Sequence, residues 1–154
     1  MGLADVFDHL LGVGMTKVIN FGDHVAALCA YLPDLYREKN ITLTCTTEPL
    51  PIGLDDATAM GIIVTELVNN AYIHAFPGGS GEISVILKIP AGEAALTIAD
   101  NGVGFVEVET RRRGMGLVRR LIQQVGGTLG VQSDCGTRWT IRFPIAEALP
   151  RTAA

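Results

Sequence analysis

A chain of 154 residues, 48% hydrophobic and 18% charged, is sized for one globular domain with a sizeable core, which excludes a disordered or fibrous class. The net charge of -4 argues against general nucleic-acid affinity, and no apolar run approaches the roughly 18 residues of a membrane span. Met1-Gly-Leu-Ala-Asp5 lacks the order of a secretory signal, and Cys29, Cys45 and Cys135 are widely spaced with no C-x-x-C pair, so a reducing cytoplasm is expected, with neither a disulfide framework nor a zinc site.

Val6, Phe7, Leu10 and Leu11 recur at helical spacing and stop at Gly12 and Gly14, which reads as a short helix with a glycine break. Asn20 is placed to cap a second helix that buries Val25, Leu28, Leu32 and Leu35, and Pro33 must kink or divide it. Ile41 to Thr47 alternates as a strand. Pro49 and Pro51 mark a loop, after which Asp55 or Asp56 offers a cap for a long helix running to about Phe76. Beyond the turn Pro77-Gly-Gly-Ser-Gly81, Ile83 to Ile89 and Ala94 to Ala99 read as paired strands, and the second delivers Asp100 at its end. Glycine-rich sequence continues to Gly116, a helix follows through Val125, and Gly126-Gly127 separates it from strands Thr128 to Gln132 and Thr137 to Phe143. Residues after Ile145 read as a frayed tail. Helices alternating with hairpin-connected strands predict an α+β fold, a two-layer α/β sandwich with a mixed sheet on one side, and no internal repeat is visible.

On the long helix, Glu66, Asn70 and His74 follow one another at a spacing of four and share one face, while Ile63, Leu67 and Ala71 fall on another. Asn70 offers a carboxamide oxygen, a hard neutral ligand suited to magnesium, which keeps waters and substrate phosphates as its other ligands. Glu66 is placed to orient a nucleophile or take its proton, and His74 to donate to a phosphate. Asp100 opens into Asn101-Gly-Val-Gly104. A buried carboxylate there would accept from the exocyclic amine of adenine, whereas guanine would face it with a carbonyl; the same residues also fit a plain Asp-Asn-Gly turn. Gly114-Met-Gly-Leu117 precedes a helix, where free amides suit phosphate oxygens, or form an ordinary helix start. Arg111, Arg112, Arg113, Arg119 and Arg120 surround it, either as a rim for a polyphosphate or as a solvated face. Phe105 to Arg113 has too few apolar residues for a core of its own and reads as a mobile lid. The G-x-x-x-x-G-K-[ST] phosphate loop is absent and the dinucleotide-binding fingerprint fails after Gly104.

Taken together, Glu66-x-x-x-Asn70, Asp100-x-Gly102-x-Gly104 and Gly114-x-Gly116 resemble the N box and two glycine boxes of the Bergerat-fold ATPases. Within that superfamily, Glu66 to Pro77, the short lid and Gly136-Thr-Arg-Trp-Thr-Ile-Arg-Phe-Pro144 are most similar to the catalytic domain of bacterial sensor histidine kinases of the HisKA_2 type, close to the HWE group, over roughly Phe21 to Pro144. The resemblance implies a mixed sheet covered on one face by three helices, with ATP and Mg2+ as ligands. It implies Asn70 on the metal, Asp100 on the adenine amine, Gly102 and Gly104 shaping the base pocket, and Gly114, Met115, Gly116 and Leu117 around the phosphates. His74, Phe105, Arg113 and Thr137 complete the implied nucleotide-binding set, and Glu66 would polarise the nucleophile.

In this chain Ile73 stands where relatives usually carry a basic residue, and the W-x-E signature of the HWE group is missing after Asp100. Residues 1–20 are expected to be the end of a dimerisation-domain helix with its connector, 21–146 the ATP-binding domain and 147–154 a tail. His9, His24 and His74 do not match the H-H/R-x-x-x-N-N-L acceptor pattern, so the acceptor histidine is expected on a dimerisation domain outside this chain. A homodimeric parent and a response regulator are the further partners implied. The nucleotide boxes also suit an anti-sigma-factor type serine kinase, or a nucleotide-gated interaction domain without kinase activity.

Overall fold

Strand β1 (Val18–Asn20) leads directly into helix α1 (Phe21–Tyr31), and Asn20 makes the junction. In this computed structural model residues 17–104 and 115–145 are described. Asn20 Oδ1 accepts from the backbone N–H of Gly22 at 3.0 Å and from that of Leu50 at 3.0 Å, so one carboxamide caps the helix and anchors a distant loop. A side chain at position 22 would overlap the Glu48 carbonyl, which is why the first turn carries glycine. Phe21, Val25 and Cys29 form the buried stripe of α1. Pro33 then divides the segment, and the chain continues as a 3-10 turn over Leu32–Tyr36. Its tighter winding takes Leu35 off the α-helical stripe: Leu32 is buried, but Leu35, expected in the core, is exposed.

The main sheet has five strands, β2 (Asn40–Thr46), β4 (Ser80–Lys88), β5 (Glu93–Asp100), β6 (Thr128–Gln132) and β7 (Thr137–Pro144), in the order β2-β4-β5-β7-β6. Only β2 and β4 run parallel; the other neighbours are antiparallel, so the sheet is mixed as expected. Alternation sorts its faces. Ile83, Val85 and Leu87 of β4, Ala94, Leu96 and Ile98 of β5, and Trp139, Ile141 and Phe143 of β7 are buried beneath the helices, each large side chain contributing about 1.5–3 kcal/mol of burial. A second, two-stranded sheet pairs β1 with β3 (Pro51–Gly53) and was not anticipated: Pro51, read as a loop marker, opens an edge strand, and Val18–Asn20 lies in the stretch read as connector.

Helix α2 (Leu54–Asn70) starts after Gly53, which occupies the cap position without a side-chain bond. Asp55 and Asp56, expected as caps, lie inside the first turn, where their charges meet the positive end of the helix dipole. Met60, Ile63, Val64, Leu67 and Val68 are fully or almost fully buried on the sheet-facing side. The winding then widens into a π turn over Ala71–Ala75 before stopping at Phe76. Helix α3 (Met115–Gln124) buries Met115, Val118 and Ile122 and ends at Gly126, whose φ of 74 favours glycine.

Two further contacts join elements in the core. His24 is half-buried and packs over α2, where a Cβ at Gly61 would stand 2.6 Å from its Nε2, while Asp23 accepts from Asn20 Nδ2 at 3.2 Å. Cys29 of α1 and Cys45 of β2, distant in sequence, meet side chain to side chain, and burial pushes the Cys29 thiol above its ordinary value.

Candidate functional site

Asp100 ends β5 opposite Thr137 of β7. Its Oδ1 accepts from the backbone N–H of Gly102 at 2.8 Å and from that of Thr137 at 3.3 Å, which fixes the carboxylate. Burial pushes this carboxyl above the usual range, and the two backbone bonds counter only part of that rise. Thr137 is itself buried. Gly136 is constrained twice over: its φ is 113, and a Cβ would overlap the Asp100 carbonyl oxygen. A cleft of about 360 Å³ adjoins this strand end, lined by Asp100, Gly136 and Thr137 together with Ala99, Gln132 and Arg138, which by strand alternation belong to the sheet face away from the helices. A half-buried acceptor held at a strand end by two amides is suited to reading a donor on a ligand.

The loop after Asp100 is tied down on both sides. Asn101 exchanges two bonds with Glu82 of β4: its N–H donates to the Glu82 carbonyl at 3.2 Å and its Oδ1 accepts from the Glu82 N–H at 2.8 Å. Val103 N–H donates to the Ala75 carbonyl at 3.0 Å, at the end of the π turn. Gly102 lies so close to Ala75 that a Cβ would overlap its carbonyl, and Gly104 has a φ of 86 with Ser133 Oγ 2.6 Å from where a Cβ would be. These residues do not form a free turn; they seat the Asp100 loop on the end of the Asn70 helix. The role of Asn101 was missed in the sequence, where the Asp-Asn-Gly run signals only a bend and says nothing of Glu82.

On that helix Glu66 and Asn70 are half-buried and His74 is exposed, whereas Ile63, Leu67 and Ala71 are buried, so the polar and apolar faces separate as their spacing implies. The turn around His74 is π rather than α, which the spacing did not reveal. Ile73, standing in the basic position, is 53% exposed. Among the described residues no group of three His, Cys, Asp or Glu could cage a metal ion. Asn70 itself offers one carboxamide oxygen, a donor of the kind that suits a hard ion whose other ligands are phosphates and water. At the start of α3, Met115 is buried in the core, while Gly116 and Leu117 are exposed. A Cβ at Gly116 would meet nothing within 4 Å, so packing among the described residues does not call for glycine there, as close approach of a ligand to the backbone would. Arg119 and Arg120 are exposed on α3. Gly114 and the segment read as a lid, Phe105 to Arg113 with Arg111 and Arg112, lie outside the described residues.

Residues 55–147 match the family of histidine kinase-, DNA gyrase B-, and HSP90-like ATPases. The chain is 25% identical over 138 residues to blue-light-activated histidine kinase 2 of Erythrobacter litoralis, a match covering 85% of this chain and 40% of that protein. It is 34% identical over 76 residues to anti-sigma F factor of Geobacillus kaustophilus, covering 47% of this chain and 51% of the relative. The chain thus spans about half or less of the length of these curated relatives. Its fold superposes on the histidine kinase domain of the Erythrobacter litoralis blue-light activated histidine kinase with a TM-score of 0.77 at 24% identity, covering 82% of this chain and 62% of that one.

Proposed function

The chain belongs to the histidine kinase-, DNA gyrase B-, and HSP90-like ATPase family, and from that premise we propose that it is the ATP-binding catalytic module of a bacterial sensor histidine kinase of the HisKA_2 type. The observation that carries the reading is the Val103 to Ala75 bond, which seats the loop of the base-reading Asp100 on the turn that follows Asn70. Asp100 accepts from the adenine amine. Asn70 holds magnesium, which supplies charge neutralisation at the phosphates when bound. His74 and the backbone at Gly114, Gly116 and Leu117 contact phosphate oxygens, helped by Phe105 and Arg113. Met115 serves by anchoring this helix start in the core. Glu66 orients the incoming imidazole and takes its proton, and catalysis is by positioning and charge stabilisation.

The acceptor histidine belongs to a dimerisation domain outside this chain, the parent protein is a homodimer, and the phosphoryl group passes on to a response regulator. The module works in the cytoplasm; no helix among the described residues is long and apolar enough to cross a membrane. The 34% identity to an anti-sigma F factor favours a second reading, a serine kinase. Incubation of the chain with γ-labelled ATP and magnesium, together with a separate histidine-bearing helical pair, decides between them. Acid-labile, base-stable label on the added helices supports the histidine kinase. Absence of such label under conditions where the chain binds ATP contradicts it, and acid-stable label on a protein serine supports the alternative.

A further inference from the structure

The turn that carries Asn70 and His74 is gripped by a segment to which the nucleotide reading assigns nothing. Tyr36 closes the 3-10 turn after α1, and Lys39 follows it just before β2. The Tyr36 hydroxyl donates to Asn69 Oδ1 at 2.8 Å. Its ring stacks on that of Tyr72, with centroids 4.2 Å apart and planes 9° from parallel. Lys39 Nζ donates to the Tyr72 carbonyl at 3.0 Å. These contacts bracket Asn70, one on the residue before it and two on the residue two places after it.

Each contact answers a local need. A helix end leaves its last carbonyls without intrahelical donors, and an ammonium group there satisfies one of them and meets the negative end of the dipole. Lys39 does this for Tyr72, and the Val103 N–H does it for Ala75. Tyr72 is buried, so its ring is a fixed platform for Tyr36. The π winding of Ala71–Ala75 is an uncommon conformation, and the contacts to Tyr72 fall within it. The two adjacent asparagines are also told apart here. Tyr36 engages the carboxamide oxygen of Asn69, and Asn70 is the one that lies four residues beyond Glu66 on the polar stripe.

We propose that Tyr36 and Lys39 are positioning residues for the metal-ligand turn, fixing the backbone from Asn69 to Tyr72 and with it the direction in which Asn70 offers its carboxamide oxygen to a magnesium nucleotide. The inference rests on the assignment of Asn70 to magnesium. It makes a demand that a purely structural brace does not: the loss should fall on the magnesium-dependent part of binding, because the Asp100 carboxylate is held by the amides of Gly102 and Thr137 and touches neither Tyr36 nor Lys39.

The test is calorimetry of ATP binding to the full chain with and without magnesium, for the parent, Tyr36→Phe, Lys39→Ala and the double variant, with melting temperatures alongside. Tyr36→Phe keeps the ring and removes only the bond to Asn69; Lys39 is a partly exposed side chain whose loss leaves the core intact. The expected result is that the gain in affinity due to magnesium falls about fivefold in each single variant and further in the double, with magnesium-free affinity within about twofold of the parent. Variants that melt earlier but keep the full magnesium gain would overturn the positioning role while leaving Asn70 on the metal. A parent chain that binds ATP equally with and without magnesium would overturn both.

Discussion

The Asp100 carboxylate is held by backbone amides, whereas the stretch around Asn70 is held chiefly by side chains that arrive from elsewhere in the sequence. At the Asp100 end, Gly102 and Thr137 amides fix the carboxylate, and Gly102 and Gly136 are glycines because neighbouring carbonyls fill the space of a Cβ. At the Asn70 end the helix passes into a π turn braced by Tyr36 and Lys39. A backbone-built pocket presents the same acceptor whatever the neighbouring side chains are. A turn held by a phenol and an ammonium group can be retuned by single substitutions, so the two ends should respond to mutation in different ways.

The largest effect is expected where the backbone itself is the wall. Gly136→Ala puts a side chain at a φ of 113 and into the Asp100 carbonyl, and should lower unfolding free energy by about 3 kcal/mol or more in urea denaturation. A loss under about 1 kcal/mol would show that the hairpin yields and that this end is not rigid.

Asp100→Asn should separate stability from function. Its Oδ1 can still accept from Gly102 and Thr137, but an amide facing adenine presents a donor to a donor, so ATP affinity should fall by about 1–3 kcal/mol in calorimetry. Stability should move the other way. The folded-state pKa of Asp100 is raised, so between the ordinary carboxylate range and that raised value the folded chain keeps a proton that the unfolded chain has lost. Its contribution to stability therefore declines as pH rises through this window, and at neutral pH the buried charge is a net cost. Asp100→Asn should melt no earlier than the parent at neutral pH and show a flatter profile across the window; a lower melting temperature at neutral pH would contradict the sign.

At the other end, the Tyr72 hydroxyl is buried with no hydrogen-bond partner among the described residues. Tyr72→Phe keeps the stack on Tyr36 and should stabilise the chain by about 1 kcal/mol, checked by denaturation; a comparable loss would mean that the hydroxyl is satisfied. Smallest of all, Arg142→Ala removes an exposed pair with Glu93 at 3.8 Å, and should change stability by less than about 0.5 kcal/mol.

The same contrast explains what the sequence made legible. Alternation in β4 and β5, the cap at Asn20, and the separation of Glu66 and Asn70 from Ile63 and Leu67 are local patterns, and each appears in the structure. The glycines after Asp100 were visible too, though their cause was not: Gly102 makes room for Ala75, a residue far away in the chain. The small β1–β3 sheet was missed because strands this short, one of them starting with proline, carry no alternation to detect. Tyr36 and Lys39 escaped for a similar reason. Each finds its partner 33 residues away, and an isolated tyrosine or lysine in a turn signals nothing until the chain is folded. Cys29 and Cys45 met in the core by the same route.

The most direct test of the account is calorimetry of ATP and GTP on the unmodified chain with magnesium present. Asp100 fixed as an acceptor predicts measurable ATP binding and at least about tenfold weaker GTP binding, since guanine would leave the carboxylate facing a carbonyl. Equal affinities for the two nucleotides, or no binding of ATP, would contradict it.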